Sequence, residues 1–153
     1  MKALLVKEKW LNLILDGDSD GPKDWEIRGS ATTIRGRILL AQSGTGMIVG
    51  EVDLVDCFEV GLNTLVKNQK RCKINPLEVK YEKPHVWVLK NPYRYKEPIP
   101  YIHPQGAVIW VNLSGFESQL PAPDFGFEPV ENKFYYGQQL YVKKGSVKIG
   151  TGR

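Results

Sequence analysis

Lys23, Glu26 and Arg28 set a carboxylate between two cations in the run Lys23-Asp24-Trp25-Glu26-Ile27-Arg28-Gly29. Side chains of an extended chain alternate between faces. Trp25 and Ile27 therefore point to one side, and Asp24, Glu26 and Arg28 to the other. The apolar pair anchors a strand, so the charges opposite it require either mutual pairing or a ligand. As a pair at a cleft edge, Glu26 with Arg28 or Lys23 would hold a loop and contribute about 0–1 kcal/mol. Facing a ligand, Arg28 and Lys23 suit a phosphate or a polar base edge, and Glu26 accepts from an amine. Glu26 assisted by Lys23 could also act as a base toward a bound water. No Ser or Thr lies between Lys23 and Gly29 to serve as a nucleophile; the nearest are Ser30, Thr32 and Thr33.

Three further groups have chemical potential. Asp16, Asp18, Asp20 and Gly21, with Asp24 beyond, match the first half of a calcium loop. The closing position falls on Ile27 rather than a bidentate Glu, so the choice is between a cation site and a solvated acidic turn. Tyr93, Tyr95, Tyr101 and His103 interleave with Arg94 and Lys96 on a proline-rich stretch. That pattern suits stacking on unpaired bases, with Tyr101 and His103 as candidate contacts, or else pins the stretch to the domain. Lys67 to Lys73 concentrates positive charge, as a solvated helix face or a phosphate-tracking patch. The net charge of +4 tilts mildly toward polyanionic partners.

Composition narrows the remainder. Two cysteines, Cys57 and Cys72, form no C-x-x-C, and His85 and His103 lack metal-ligand spacing. No metal and no cofactor is expected. No apolar run approaches the roughly 20 residues that span a bilayer, and Lys7 interrupts the one near the start. A reduced, cytoplasmic protein without a membrane partner follows as the default. A Walker-type loop is excluded, because Pro22 separates Gly21 from Lys23 and Asp24 stands where a metal-binding hydroxyl is needed.

The elements that must carry these residues are short. Residues 2–6 predict a strand, and Trp10 to Leu15 a helix with one broad apolar face, stopped near Gly17. Strands follow at 25–28, at 38–41 (apolar on both faces), at 47–60 (with Gly50 marking a bulge or bend), at 86–89 and at 108–111. Residues 62–72 read as helix, and Pro92 to Pro104 as an extended loop. After Leu113 a linker-like stretch precedes a hairpin over 133–142. Short turns without a βαβ rhythm predict an α+β fold, a small barrel of about five or six strands with two or three helices.

The ordered set of Trp10 to Gly17, Lys23 with Glu26 and Arg28, Arg35 to Leu40, Gly50 to Cys57, His85 to Pro92, Pro98 to Pro100 and Val108 to Trp110 resembles the ASCH domain of the PUA-like superfamily. It covers residues 1–113, leaving 114–153 as a C-terminal extension, a hairpin packed on the barrel. The family signature runs G-x-K-T-x-E-x-R. Here residues 18–22 are inserted between Gly17 and Lys23, and Asp24 replaces the Thr. The resemblance implies a β-barrel cleft walled by Lys23, Glu26 and Arg28, with RNA or a nucleotide-like small molecule as partner. Some small bacterial members hydrolyse acylated cytidine or cleave RNA, which implies a hydrolase as the alternative. They use a Thr shortly after the Lys, which this chain lacks. A third reading makes the domain a protein-interaction module with a purely structural charged trio. Oligomeric state is left open.

Overall fold

A computed structural model describes residues 1–121, 127–135 and 138–143. Its strands are β1 (Lys2–Val6), β2 (Trp25–Arg28), β3 (Gly36–Gln42), β4 (Met47–Glu59), β5 (His85–Pro100), β6 (Trp110–Asn112), β7 (Phe127–Tyr135) and β8 (Gln138–Lys143). The helices are α1 (Glu8–Leu15), α2 (Leu62–Lys67) and α3 (Gln69–Cys72). Six strands form one mixed sheet in the order β2-β5-β4-β3-β1-β6, in which only β1 and β3 run parallel. Residues 1–120 form one compact unit and 121–153 a second, in which β7 and β8 pair antiparallel.

The alternation of apolar side chains explains why the sheet is buried on both faces. In β1, Leu4 and Val6 join one core cluster while Ala3 and Leu5 join another. In β3, Ile38 and Leu40 divide from Leu39 and Ala41 in the same way. The first cluster also takes Leu11 and Ile14 of α1, so one helix face seals that side. A third cluster, around Trp25, Ile27, Val86 and Val88, receives Leu65 and Cys72 from α2 and α3.

The hydrogen-bonded order leaves β2 and β6 as edges, yet the sheet rolls until they approach the far side. Arg28 on β2 donates to the carbonyl of Leu5 on β1 at 2.9 Å, although β5, β4 and β3 lie between those strands in the ladder. Trp87 on β5 stacks on Trp110 of β6, with ring centroids 5.6 Å apart. The result is the expected α+β, PUA-like barrel, left open as a seam that side chains bridge.

Two expectations are corrected. Residues 92–100 continue β5 rather than forming a loop. The prolines are accommodated because the ladder with β4 shifts beside Pro92 and Pro98, and Pro100 pairs at its end. Asn91, at φ 53°, makes the first of these bulges. The last strand of the sheet starts at Trp110 rather than Val108. Leu5 still donates to the Ile109 carbonyl, but the Leu5 carbonyl is taken by Arg28, and Val108 lifts out to 78% exposure.

Gly50 sits at the same shift of the β4–β5 ladder that accommodates Pro98, and a Cβ there would lie 2.5 Å from the backbone oxygen of Tyr93. Backbone cannot swing aside as a side-chain tip can, so overpacking costs about 1–3 kcal/mol. Gly50→Ala is expected to lower stability by that amount in urea unfolding, and an unchanged midpoint would contradict the close approach.

Candidate functional site

The three charged residues converge, with different burial. Lys23 is 2% exposed and Glu26 4%, while the Arg28 side chain keeps 17% of its surface. Lys23 Nζ donates to the carbonyls of Trp25 at 2.7 Å and Cys72 at 2.5 Å, and lies 3.6 Å from Glu26 Oε1. Glu26 Oε2 accepts from Arg28 Nε at 3.1 Å and from a terminal nitrogen of the same guanidinium at 2.9 Å. Arg28 thus holds Glu26 in a fork and spends a further hydrogen bond on Leu5. The ammonium of Lys23 faces the ring of Trp10 at 5.0 Å, and the Arg28 guanidinium lies 5.6 Å from that of Trp87.

Strand alternation places Glu26 and Arg28 opposite Trp25 and Ile27, but Asp24 does not join them. β2 begins at Trp25, and the Asp24 carboxylate is held in a fork by Arg71 at 2.9–3.2 Å. Lys23 also precedes the strand. It reaches the cluster because its backbone is fixed to α1 through the Leu13 carbonyl and its ammonium is captured by two others. Burial pushes the Lys23 pKa down, opposed by the charge of Glu26.

The inserted loop is a cross-braced turn. Gly17, at φ 74°, lets the chain fold tightly enough that a Cβ there would lie 2.8 Å from the Gly21 backbone. Its acids go to four separate cations: Asp16 to Arg94, Asp18 to Lys73, Asp20 to Lys70 and Asp24 to Arg71. The basic run after Lys67 is therefore largely engaged in clamping this loop. Among the described residues no group of three or more His, Cys, Asp or Glu is arranged to hold a metal ion.

Lys23, Glu26 and Arg28 line a pocket of about 230 Å³. Lys7 and Ser43 add polar groups to it, and Trp10, Ile27, Tyr81 and Val108 give apolar surface. Tyr101 and His103 are not among its lining residues. They bond to each other at 3.0 Å, and His103 Nε2 lies 2.9 Å from the Ala107 carbonyl, bracing the turn that leads to Val108. Tyr95, grouped with them in the sequence, is 3% exposed and donates to Glu51 at 2.5 Å. Arg94 is likewise committed, to Asp16 and Asn12. Sequence reasoning missed Lys7, Ser43 and Tyr81, which come from a helix entry, a turn and a loop and share no periodicity that would group them.

A second polar cluster is structural in its chemistry. Arg37 on β3 binds Glu51 at 2.8 Å, Asp53 at 3.2 Å and the Asn91 carbonyl at 2.6 Å. It thereby ties the β5 bulge to its neighbouring strands. A second cavity, of about 220 Å³, lies between Ile14, Pro22, Leu89 and Pro92.

A family model described as the ASCH domain matches residues 4–99. Among solved structures, the chain resembles the crystal structure of ASCH from Zymomonas mobilis, with a TM-score of 0.58 and 16% identity over 77% of this chain and 90% of that one. Two mutant forms of ZmASCH from Zymomonas mobilis match similarly. One has a TM-score of 0.58 at 16% identity and the other 0.57 at 17%; each covers 77% of this chain, and 91% and 93% of theirs. No curated protein matches the chain in sequence.

Removing Lys23 would leave Glu26 without its second cation and two buried carbonyls without a donor. Breaking a buried pair from one side costs about 3–5 kcal/mol. Lys23→Ala is expected to lose that much in denaturant unfolding, and a loss below 1 kcal/mol (roughly a surface pair's worth) would contradict the burial. The bond from Lys73 holds the Asp18 pKa below its usual value. Its contribution is complete above the unfolded value of about 4 and disappears as pH falls through the lowered one. Asp18→Asn should therefore flatten the acid limb of the melting-temperature profile and leave its alkaline limb unchanged.

Proposed function

The chain belongs to the ASCH domain family, and from that premise we propose that it binds RNA or a nucleotide-like small molecule in the pocket floored by Lys23, Glu26 and Arg28. The observation that carries the reading is the asymmetry of Glu26. Among the described residues, both close donors, from Arg28, go to Oε2, whereas Oε1 has only Lys23, at 3.6 Å. A carboxylate oxygen so placed on a pocket wall accepts a hydrogen bond from a base amine or a sugar hydroxyl.

Roles follow from the partners each residue already has. Lys23 spends its ammonium on two carbonyls and the Glu26 charge, so it acts by positioning Glu26 rather than by touching the ligand. Arg28 fixes the opposite side of the carboxylate, and its partly exposed guanidinium faces the pocket. Lys7, exposed at the mouth, is suited to a phosphate. The binding unit is assigned to residues 1–113, which contain every lining residue named above. The reduced, cytoplasmic setting is supported by the two free thiols, Cys57 and Cys72. No helix among the described residues is long and apolar enough to cross a membrane.

A second reading, hydrolysis of RNA or of an acylated cytidine, draws on the lowered pKa of Lys23 beside a carboxylate. Lys23 and Glu26 would then take the catalytic roles, with Glu26 as base toward a water. Among the described hydroxyls, Thr32 is occupied in capping the Ile34 amide, whereas Ser43 lines the pocket.

The test measures affinity for single-stranded RNA and for the four nucleoside monophosphates by fluorescence anisotropy and calorimetry. Glu26→Gln is expected to weaken binding by at least ~10-fold, roughly the worth of one charge-assisted hydrogen bond, without loss of helix and sheet signal. Lys7→Ala should reduce the slope of log K against log salt by about one. Wild-type affinity in Glu26→Gln would overturn the assignment. Turnover of an acylated cytidine that disappears in this variant would select the hydrolytic reading.

A further inference from the structure

Tyr81 stands on the loop between a 3-10 turn at Pro76–Glu78 and β5. It keeps 46% of its surface exposed although it lines the pocket. The loop around it is largely exposed but is fixed at two points. Val79 packs on the third core cluster, and the Pro84 carbonyl accepts from Val60. The loop is thus anchored on either side of Tyr81 while the ring itself is left facing the cavity.

Its position is set by an absence of side chain. A Cβ on Gly29 would lie 2.7 Å from Tyr81 Cδ1 and 3.1 Å from Cε1. The ring therefore lies directly against the bare Cα at the end of β2, one residue beyond Arg28. Gly29 has no positive φ, so space rather than backbone conformation explains the glycine. β2 consequently supplies both the charged floor, through Glu26 and Arg28, and the seat for the aromatic wall.

We propose that Tyr81 is the stacking wall of this pocket, against which the flat unsaturated part of the ligand lies, and that Gly29 is the residue that positions it. The inference rests on the nucleotide-binding reading above and adds a specificity element to it. A ring face accepts every base, while Glu26 selects what the base edge presents. Stacking supplies attraction without charge. A pocket of about 230 Å³ admits one planar base with its ring face covered, rather than an extended chain.

The test is a double-mutant cycle read as affinity for fluorescently labelled single-stranded RNA and for nucleoside monophosphates. Tyr81→Ala is expected to weaken binding roughly 5- to 150-fold, the span of base–aromatic stacking, with the salt slope unchanged. Tyr81→Phe should retain wild-type affinity. Gly29→Ala should weaken binding in the wild-type background and have little further effect in Tyr81→Ala, because the residue it displaces is already gone. A thermal melt of each variant separates displacement of the ring from loss of fold; Tyr81→Ala, at an exposed loop position, is expected to melt as wild type. Wild-type affinity in Tyr81→Ala, with Glu26→Gln still impaired, would overturn the stacking wall and leave the pocket reading standing. Loss in Tyr81→Phe equal to that in Tyr81→Ala would also overturn it, since the hydroxyl and not the ring face would then be responsible. Absence of any binding by the unmodified protein would remove the parent reading and this inference with it.

Discussion

A buried ammonium that cannot leave its carbonyls determines much of this domain. Lys23 Nζ ties the start of β2 to the end of α3 through Trp25 and Cys72, and places an ammonium on a residue only 2% exposed. Such a charge is tolerated only when it is paired and hydrogen-bonded. Glu26 provides the countercharge, and its second oxygen is in turn held by Arg28. Arg28 then reaches the Leu5 carbonyl, closing the seam between two strands that the ladder itself does not join. The chain of contacts from Cys72 to Leu5 is at once the closure of the barrel and the floor of the pocket.

This double duty distinguishes the trio from the other polar clusters. The Arg37, Glu51 and Asp53 group is equally well connected, but it spans adjacent strands and holds a bulge in place. The acidic loop and the basic run after Lys67 cancel one another, the Lys70 and Arg71 pairs being exposed and each worth little, while Lys73 is largely buried against Asp18. Of these clusters, the Lys23 chain is the one that lines this pocket and leaves one Glu26 oxygen without a short hydrogen bond from a described neighbour. A site that is also a structural brace resists movement, which is the condition for holding one acceptor in a fixed direction.

Much of this was legible in the sequence where periodicity operates. The alternation around Trp25 and Ile27 put Glu26 and Arg28 on one face, and β1 and β3 follow the apolar pattern closely, whereas β4 departs from it by burying Glu51 and exposing Val55. Legibility failed where the chain departs from a regular period. Asp24 and Lys23 precede the strand, so alternation assigns them wrongly, and only tertiary partners decide which joins the trio. The prolines of β5 read as a loop because a single sequence does not reveal that bulges in the β4 ladder fall beside them. Tyr81 carried no signal, since its placement depends on the missing Cβ of a glycine far away in sequence. The expectation of a hairpin over 133–142 falls partly on residues outside those described, while the strands Phe127–Tyr135 and Gln138–Lys143 pair on either side of them.

The most direct test of the central claim is a nucleotide titration of isotope-labelled protein followed by two-dimensional NMR, observing backbone amides together with the Arg28 Nε–H and tryptophan indole resonances. The account predicts saturable shifts concentrated at Arg28 Nε–H, the Trp10 indole, and the amides of Ile27 and Ser43. Saturable shifts confined to the Tyr101–His103 turn, the Lys90–Pro92 cavity or the β7–β8 hairpin, with the Arg28 signal unmoved, would contradict it.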